Sequence, residues 1–380
     1  MNTFWWQLPG PSRYLARIAD DLRAGKNALL LLPEYFPDRL HDALAVSTQD
    51  LHWSYPPLLP QAEEYPLHFL FSYFIPDTPS YVIPNVETLA KEQSFCGKVI
   101  WLEGMTTSSW PQWKEFLQEY QHVCSKRRPL ERTVFCLPLV GELAVDQNLP
   151  PQDTYLAYHP WQGKVDSLDM FLFVYHFFQG KPLPNLQKRI AVAIAAGLAL
   201  WDPNVAVRFA DENIENILSP LPALREISRE RGWNDFDQKE TAQSWLRGVY
   251  DTIDGRGKFH SAALVHNASR EEEIKRRIWS AEISVLFPMI EEKRQDILAE
   301  LKDQLRGPFQ IQSATINDPN DLEIGHLWHL FLTKKVKPRT EMRLLVERLW
   351  EMRNSLAHLE PIRPELLLCE EMNTGTRHLL

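Results

Sequence analysis

A chain of 380 residues with 44% hydrophobic and 24% charged residues has the composition of a soluble globular protein, and is long enough for two or three domains. Its formal charge of −9 excludes a surface coated in nucleic acid and leaves room only for a local basic site. The four cysteines, Cys96, Cys124, Cys136 and Cys369, form no C-x-x-C pair, which argues against a zinc ribbon.

The opening residues Met1–Gln7 carry no basic segment and no apolar run of secretory length. The longest apolar stretch, Ile190–Trp201, falls short of the roughly 20 residues that span a bilayer. The expectation is a cytoplasmic protein with reduced thiols and no membrane partner.

Residues 1–178 alternate short apolar runs with helical patterns. Asn27–Pro33, Lys98–Glu103 and Thr133–Pro138 read as buried strands, and Trp110–Cys124 places Trp113, Phe116, Leu117 and Tyr120 at helical spacing. Continuous apolar strands separated by helices predict an α/β domain with a mostly parallel sheet covered on both faces. From about 179 the pattern turns helical. Gln187–Leu200 is one helix, the more polar Leu224–Asp254 reads as two, and Arg270–Leu305 is a long amphipathic stretch containing Pro288, with a kink expected near Val285–Phe287. A polar loop, Gln312–Asn320, precedes a helix over Leu322–Leu332. A final helix runs from Thr340, as N-cap, to Ala357. The expected division is 1–178, a helical linker domain over 179–264, and a helical bundle over 265–380.

The loop after the first strand, Leu32-Pro33-Glu34-Tyr35-Phe36-Pro37-Asp38 with a helix over Pro37–Leu44, stands where a phosphate loop would. It has no Gly or Lys and carries two acids, so it lacks the backbone cradle and the cation that phosphate needs. Val99-Ile100-Trp101-Leu102-Glu103 is similar to a strand ending in a metal-binding acid, with a solvated or helix-capping acid as the other reading. The layout resembles a degenerate P-loop ATPase domain of the kind found in bacterial defence clusters. Gly255-Arg256-Gly257-Lys258 lacks the phosphate-loop spacing and reads as a surface turn.

Near the end stands Arg353-Asn354-Ser355-Leu356-Ala357-His358. Asn354 and His358 share a helix face, whereas Arg353 lies roughly 140° around an ideal helix from His358. An early helix end near Ser355, a curling Arg side chain or a partner subunit would be needed to unite them. His is the natural proton carrier for RNA cleavage without metal, and the Arg fork suits a phosphate gaining charge. Lys334, Lys335, Lys337, Arg339 and Arg343 precede the motif. From Leu322 to Arg363 eight Lys/Arg stand against five Asp/Glu, as a phosphate-binding groove requires.

This string resembles the Arg-Asn-x-x-x-His motif of the HEPN superfamily, many of whose members are ribonucleases of toxin and anti-phage systems. The resemblance implies a helical bundle, a homodimer joined through it, catalytic Arg353 and His358 oriented by Asn354, RNA as a partner, and no metal or cofactor. Other members are inactive and serve as scaffolds. The alternative is therefore a non-catalytic adaptor docking a larger defence ATPase, nuclease or methyltransferase. In a purely structural reading Arg353 pairs with an acid such as Glu347, and His358 caps its own helix.

Three further groups stand out. Glu323, His326 and His329 are spaced for one helix face and read either as metal ligands or as packing. Lys126-Arg127-Arg128 with Arg132 is a second basic patch. Tyr158, His159 and Trp161 form a polar-aromatic knot, read as a loop anchor or a pocket lining.

Overall fold

The structure, a computed structural model, describes residues 3–56, 65–77, 83–145, 149–234, 240–266, 268–311 and 314–369. Two compact units divide the chain. The first comprises Met1–Asp169, Trp201–Asn204 and Asp235–His260, the second Met170–Leu200, Val205–Asn234 and Ser261–Leu380.

The first unit begins with α1 (Pro9–Arg23), started by Pro9 and Pro11, whose fixed φ suits a first helical turn. Its buried face is Tyr14, Leu15, Ile18, Ala19 and Leu22, the spacing of an amphipathic helix. Then follow β1 (Asn27–Leu32), α2 (Leu40–Ser47), β2 (His52–Ser54), α3 (Pro66–Phe74), α4 (Val86–Lys91), β3 (Lys98–Trp101), α5 (Trp110–Cys124), β4 (Val134–Val140) and β5 (Leu156–Pro160). The strands form one sheet in the order β2-β3-β4-β1-β5, parallel throughout. The α/β expectation holds at that level.

The central strands β1 and β4 are buried almost end to end, which is why they read as unbroken apolar runs. One face of the sheet carries an aromatic core. Phe95, Trp113, Phe116 and Tyr120 surround Phe135 with ring centroids 5.4–6.3 Å away, within the range of favourable ring pairs. The buried Asn27 side chain ties β1 to β4 by accepting the Phe135 N–H at 2.9 Å.

Short helices follow: α6 (Ser167–Phe178), α7 (Asn185–Ala199), α8 (Pro203–Asp211), α9 (Ile214–Leu218) and α10 (Leu221–Glu230). The chain then returns to the first unit with α11 (Thr241–Leu246) and an antiparallel hairpin, β6 (Tyr250–Ile253) and β7 (Arg256–Phe259). Leu224–Asp254 holds two helices as expected, the body of α10 and α11, but it ends in a strand that was not expected, because Tyr250–Ile253 alternates half-buried and buried residues. The glycines around 255–257 serve this hairpin. Gly255 takes φ +73°, and a Cβ on Gly257 would meet the Tyr250 hydroxyl oxygen at 1.9 Å.

The second unit is completed by α12 (Ser261–Leu264), α13 (Ala268–Glu300), the hairpin β8 (Phe309–Ile311) and β9 (Ala314–Ile316), α14 (Ile324–Leu332), α15 (Thr340–Ala357) and α16 (Pro364–Leu368). The segment expected to be a polar loop from 312 to 320 therefore contains a strand, while 312–313 lie outside the described residues. The long helix α13 continues through Pro288 and packs on α7 and α15. Thr340 is the first helical residue, and the N-cap position falls to Arg339 without a side-chain cap. Helix α2 likewise starts at Leu40, after Arg39 in a left-handed conformation at φ 63°, rather than at Pro37.

Candidate functional site

The C-terminal motif ends α15. The helix runs to Ala357, and the His358 N–H closes it on the carbonyls of Asn354 and Ser355 at 3.0 and 3.1 Å. Ser355 thus lies inside the helix, and the early stop that would have united Arg353 with His358 is absent. Arg353 and His358 are exposed and Asn354 is half-buried. The Arg353 guanidinium donates to Glu323, at the start of α14, at 3.0 Å. Its acid partner is therefore Glu323 rather than Glu347.

This helix end is firmly pinned. The Trp279 indole of α13 donates to the Leu356 carbonyl at 2.8 Å. The Ile362 N–H donates to the Glu282 carboxyl at 2.8 Å. Glu282 is 1% exposed, and burial pushes its carboxyl up to about 8 against the lowering effect of the Ile362 N–H. Sequence reading passed over Glu282, although an acid amid the apolar residues Ile278, Ala281, Ile283, Val285 and Leu286 was visible there.

The basic residues gather at the opposite end of α15. Arg339 and Arg353 are fourteen residues apart, about 20 Å along a helix axis. Arg339 pairs with Glu300, and the Lys335 ammonium donates to the Gln310 carbonyl at 3.2 Å. Lys334 adopts φ 57° in the turn, the Lys337 N–H donates to the Gln304 side chain at 3.1 Å, and Arg343 lies over the Trp328 ring at 5.8 Å. Within one chain these cations and the motif do not form one cleft.

In the first unit, the position where an open parallel sheet holds a ligand is its carboxyl edge. The chain leaves β1 toward β2 at one edge and leaves β4 toward β5 at the other. The crevice between β1 and β4 is thus the topological switch point, where open α/β sheets bind ligands. Here the chain fills it. The Glu34 N–H donates to the Leu246 carbonyl at 2.7 Å. Trp245 and Leu246 of α11 form an apolar cluster with Ala144, against which Leu31, Val145 and Tyr250 pack. The backbone donor that would face a phosphate is spent on the chain itself. The aromatic-aliphatic pair in an otherwise polar segment was the sequence signal for this closure. Glu103, at the end of β3, accepts the Trp101 indole N–H at 3.0 Å.

Among the described residues no group of three or more His, Cys, Asp or Glu is arranged to hold a metal ion. Glu323 and His326 instead close the start of α14, the Glu323 N–H donating to His326 Nδ1 at 3.1 Å. In the second basic patch Arg132 donates twice to the Arg127 carbonyl, at 3.0 and 2.7 Å, and lies over Tyr155. The Cys124 and Cys136 thiols are buried, and burial raises both above the ordinary thiol range, so they are packing groups rather than nucleophiles. Among the described residues no helix is long and apolar enough to cross a membrane. No protein-family model matches the chain, and no curated protein matches it.

Proposed function

We propose that this chain is a non-catalytic adaptor subunit of a bacterial anti-phage defence or toxin assembly, docking a larger ATPase, nuclease or methyltransferase. The defence context rests on the HEPN-like string at Arg353–His358 and on the likeness of the first unit to a P-loop domain without its phosphate loop. The observation that carries the adaptor reading is the self-filled crevice at the carboxyl edge of the sheet. An α/β unit that keeps its sheet and closes its ligand position with Trp245 and Leu246 retains its surfaces for partners.

A groove in the second unit supplies a docking surface. Phe171 and Tyr175, 43% and 44% exposed, lie with parallel rings 6.4 Å apart. They border a space of about 430 Å³ with Val192, Ala193, Lys188 and Arg189. Aromatic anchors with a basic rim suit a partner segment that is apolar and acidic. Stoichiometric co-purification of one such enzyme from native cells, abolished by Phe171→Glu with Tyr175→Glu, is the expected result. Recovery of no partner counts against the reading.

A second reading, a metal-independent ribonuclease using Arg353, Asn354 and His358, is favoured by one observation: the motif is exposed on a pinned helix end. A second copy could approach it there. That reading requires RNA cleavage in EDTA that both Arg353→Ala and His358→Ala abolish.

A further inference from the structure

The knot Tyr158-His159 is not absorbed by either reading. It lies on β5, an edge strand of the sheet, against α1. The two elements bound a cavity of about 410 Å³ lined by Tyr14, Arg17, Asp20, Asp21, Tyr158, His159, Pro160 and Lys164, a size typical of small-molecule sites.

Three features of this cavity point to a ligand. First, His159 is 7% exposed and its Nε2 has no hydrogen-bond partner. Asp21 Oδ2 lies 3.3 Å from it, in a contact not aligned as a hydrogen bond. A buried ring nitrogen without a partner costs free energy that a ligand would recover. Second, Arg17 and Lys164 line the same cavity, and among the described residues neither forms an ion pair. Lys164 is half-buried. Burial first, and then the nearby Arg17 guanidinium, depress its ammonium below the ordinary lysine range, opposed by the Asp251 carboxyl. An anion bound between the two cations would relieve their repulsion. Third, the inner acid of the cavity is already neutralised: Asp21 is held by Lys26 at 2.8 Å, while Asp20 is exposed and only 4.0 Å from an Arg23 guanidinium that Asp50 holds.

We propose that the cavity between α1 and β5 binds a small phosphorylated molecule, with its phosphate on Arg17 and Lys164 and its inner edge on His159. The guanidinium fork and the ammonium together match a dianionic phosphate. The volume exceeds a bare phosphate, so the rest of the ligand lies against Tyr158 and Pro160, with the exposed Asp20 placed to accept its hydroxyl or amine hydrogens. The position is separate from the closed crevice between β1 and β4, and the inference does not depend on the adaptor reading.

The test is calorimetric titration of the intact chain with inorganic phosphate, AMP and succinate at constant ionic strength. Saturable binding of phosphate, and tighter binding of AMP, are expected, each weakened about tenfold by Arg17→Gln or Lys164→Gln, the loss of one charge-assisted contact. Arg17 is exposed, so its variant folds and keeps the test decisive even where His159→Gln does not. Arg353→Ala and His358→Ala leave this binding unchanged. Absence of saturable phosphate binding, binding indifferent to the Arg17→Gln/Lys164→Gln double variant, or succinate binding as tightly as AMP overturns the proposal.

Discussion

Replacing Glu282 with Gln should stabilise the protein at neutral pH, by an amount that grows with pH. The buried carboxyl accepts the Ile362 N–H and is raised by burial from an ordinary value of 4.5 to about 8. Below pH 4.5 both folded and unfolded chains hold the proton, and the group costs nothing. Between 4.5 and 8 the unfolded chain releases the proton while the folded chain keeps it, so stability falls as pH rises. The loss approaches 1.4 kcal/mol per pH unit, about 3 kcal/mol at pH 7, and levels off above pH 8. Gln reproduces the neutral acid, offering an amide oxygen to Ile362 and no charge. Urea unfolding of wild type and Glu282→Gln at pH 5, 6, 7 and 8 reads the difference directly, and contributions from other titrating groups cancel. A gap of about 1 kcal/mol at pH 5 that widens to about 3 at pH 7 is expected. A gap independent of pH, or a wild type more stable than the variant at pH 8, refutes the reasoning.

Leu246→Ala, which empties part of the plug between β1 and β4, should cost about 2–5 kcal/mol in the same assay; a loss under 1 kcal/mol would mean the crevice is not packed. Arg353→Ala breaks an exposed ion pair with Glu323 and should change stability by no more than about 1 kcal/mol, so a larger effect would give that pair a structural role. Native protein treated with a thiol-exchange disulfide reagent should keep Cys124 and Cys136 unmodified until it is unfolded, and rapid labelling of either in the native state contradicts their burial.

The parallel sheet was legible because its central strands are buried on both faces, and Asn27–Leu32 and Val134–Val140 therefore stand out as apolar runs. The three-residue edge strand His52–Ser54 and the strand Leu156–Pro160, which carries Tyr and His, give no such run and escaped notice. The hairpin at Tyr250–Phe259 escaped because its glycines answer to the Tyr250 ring and a tight turn, both tertiary facts. Helix α15 was legible to within one residue at its start and to Ala357 at its end, since six buried side chains repeat at helical spacing along it. The sequence also showed that Arg353 and His358 lie on different sides of that helix. It did not show Glu323 as the partner of Arg353, nor the distance from the motif to the lysine-rich turn. Both depend on how α14 and α15 pack, which no local spacing encodes. His159 was visible only as part of an aromatic knot, because the cations that give it meaning lie far off at Arg17 and close by at Lys164.

The most direct test of the adaptor account is incubation of the purified intact chain with total RNA and tRNA in excess EDTA, beside Arg353→Ala and His358→Ala. The account predicts intact RNA in all three samples. Cleavage by the wild type that both variants lose would contradict it and establish the motif as a ribonuclease centre.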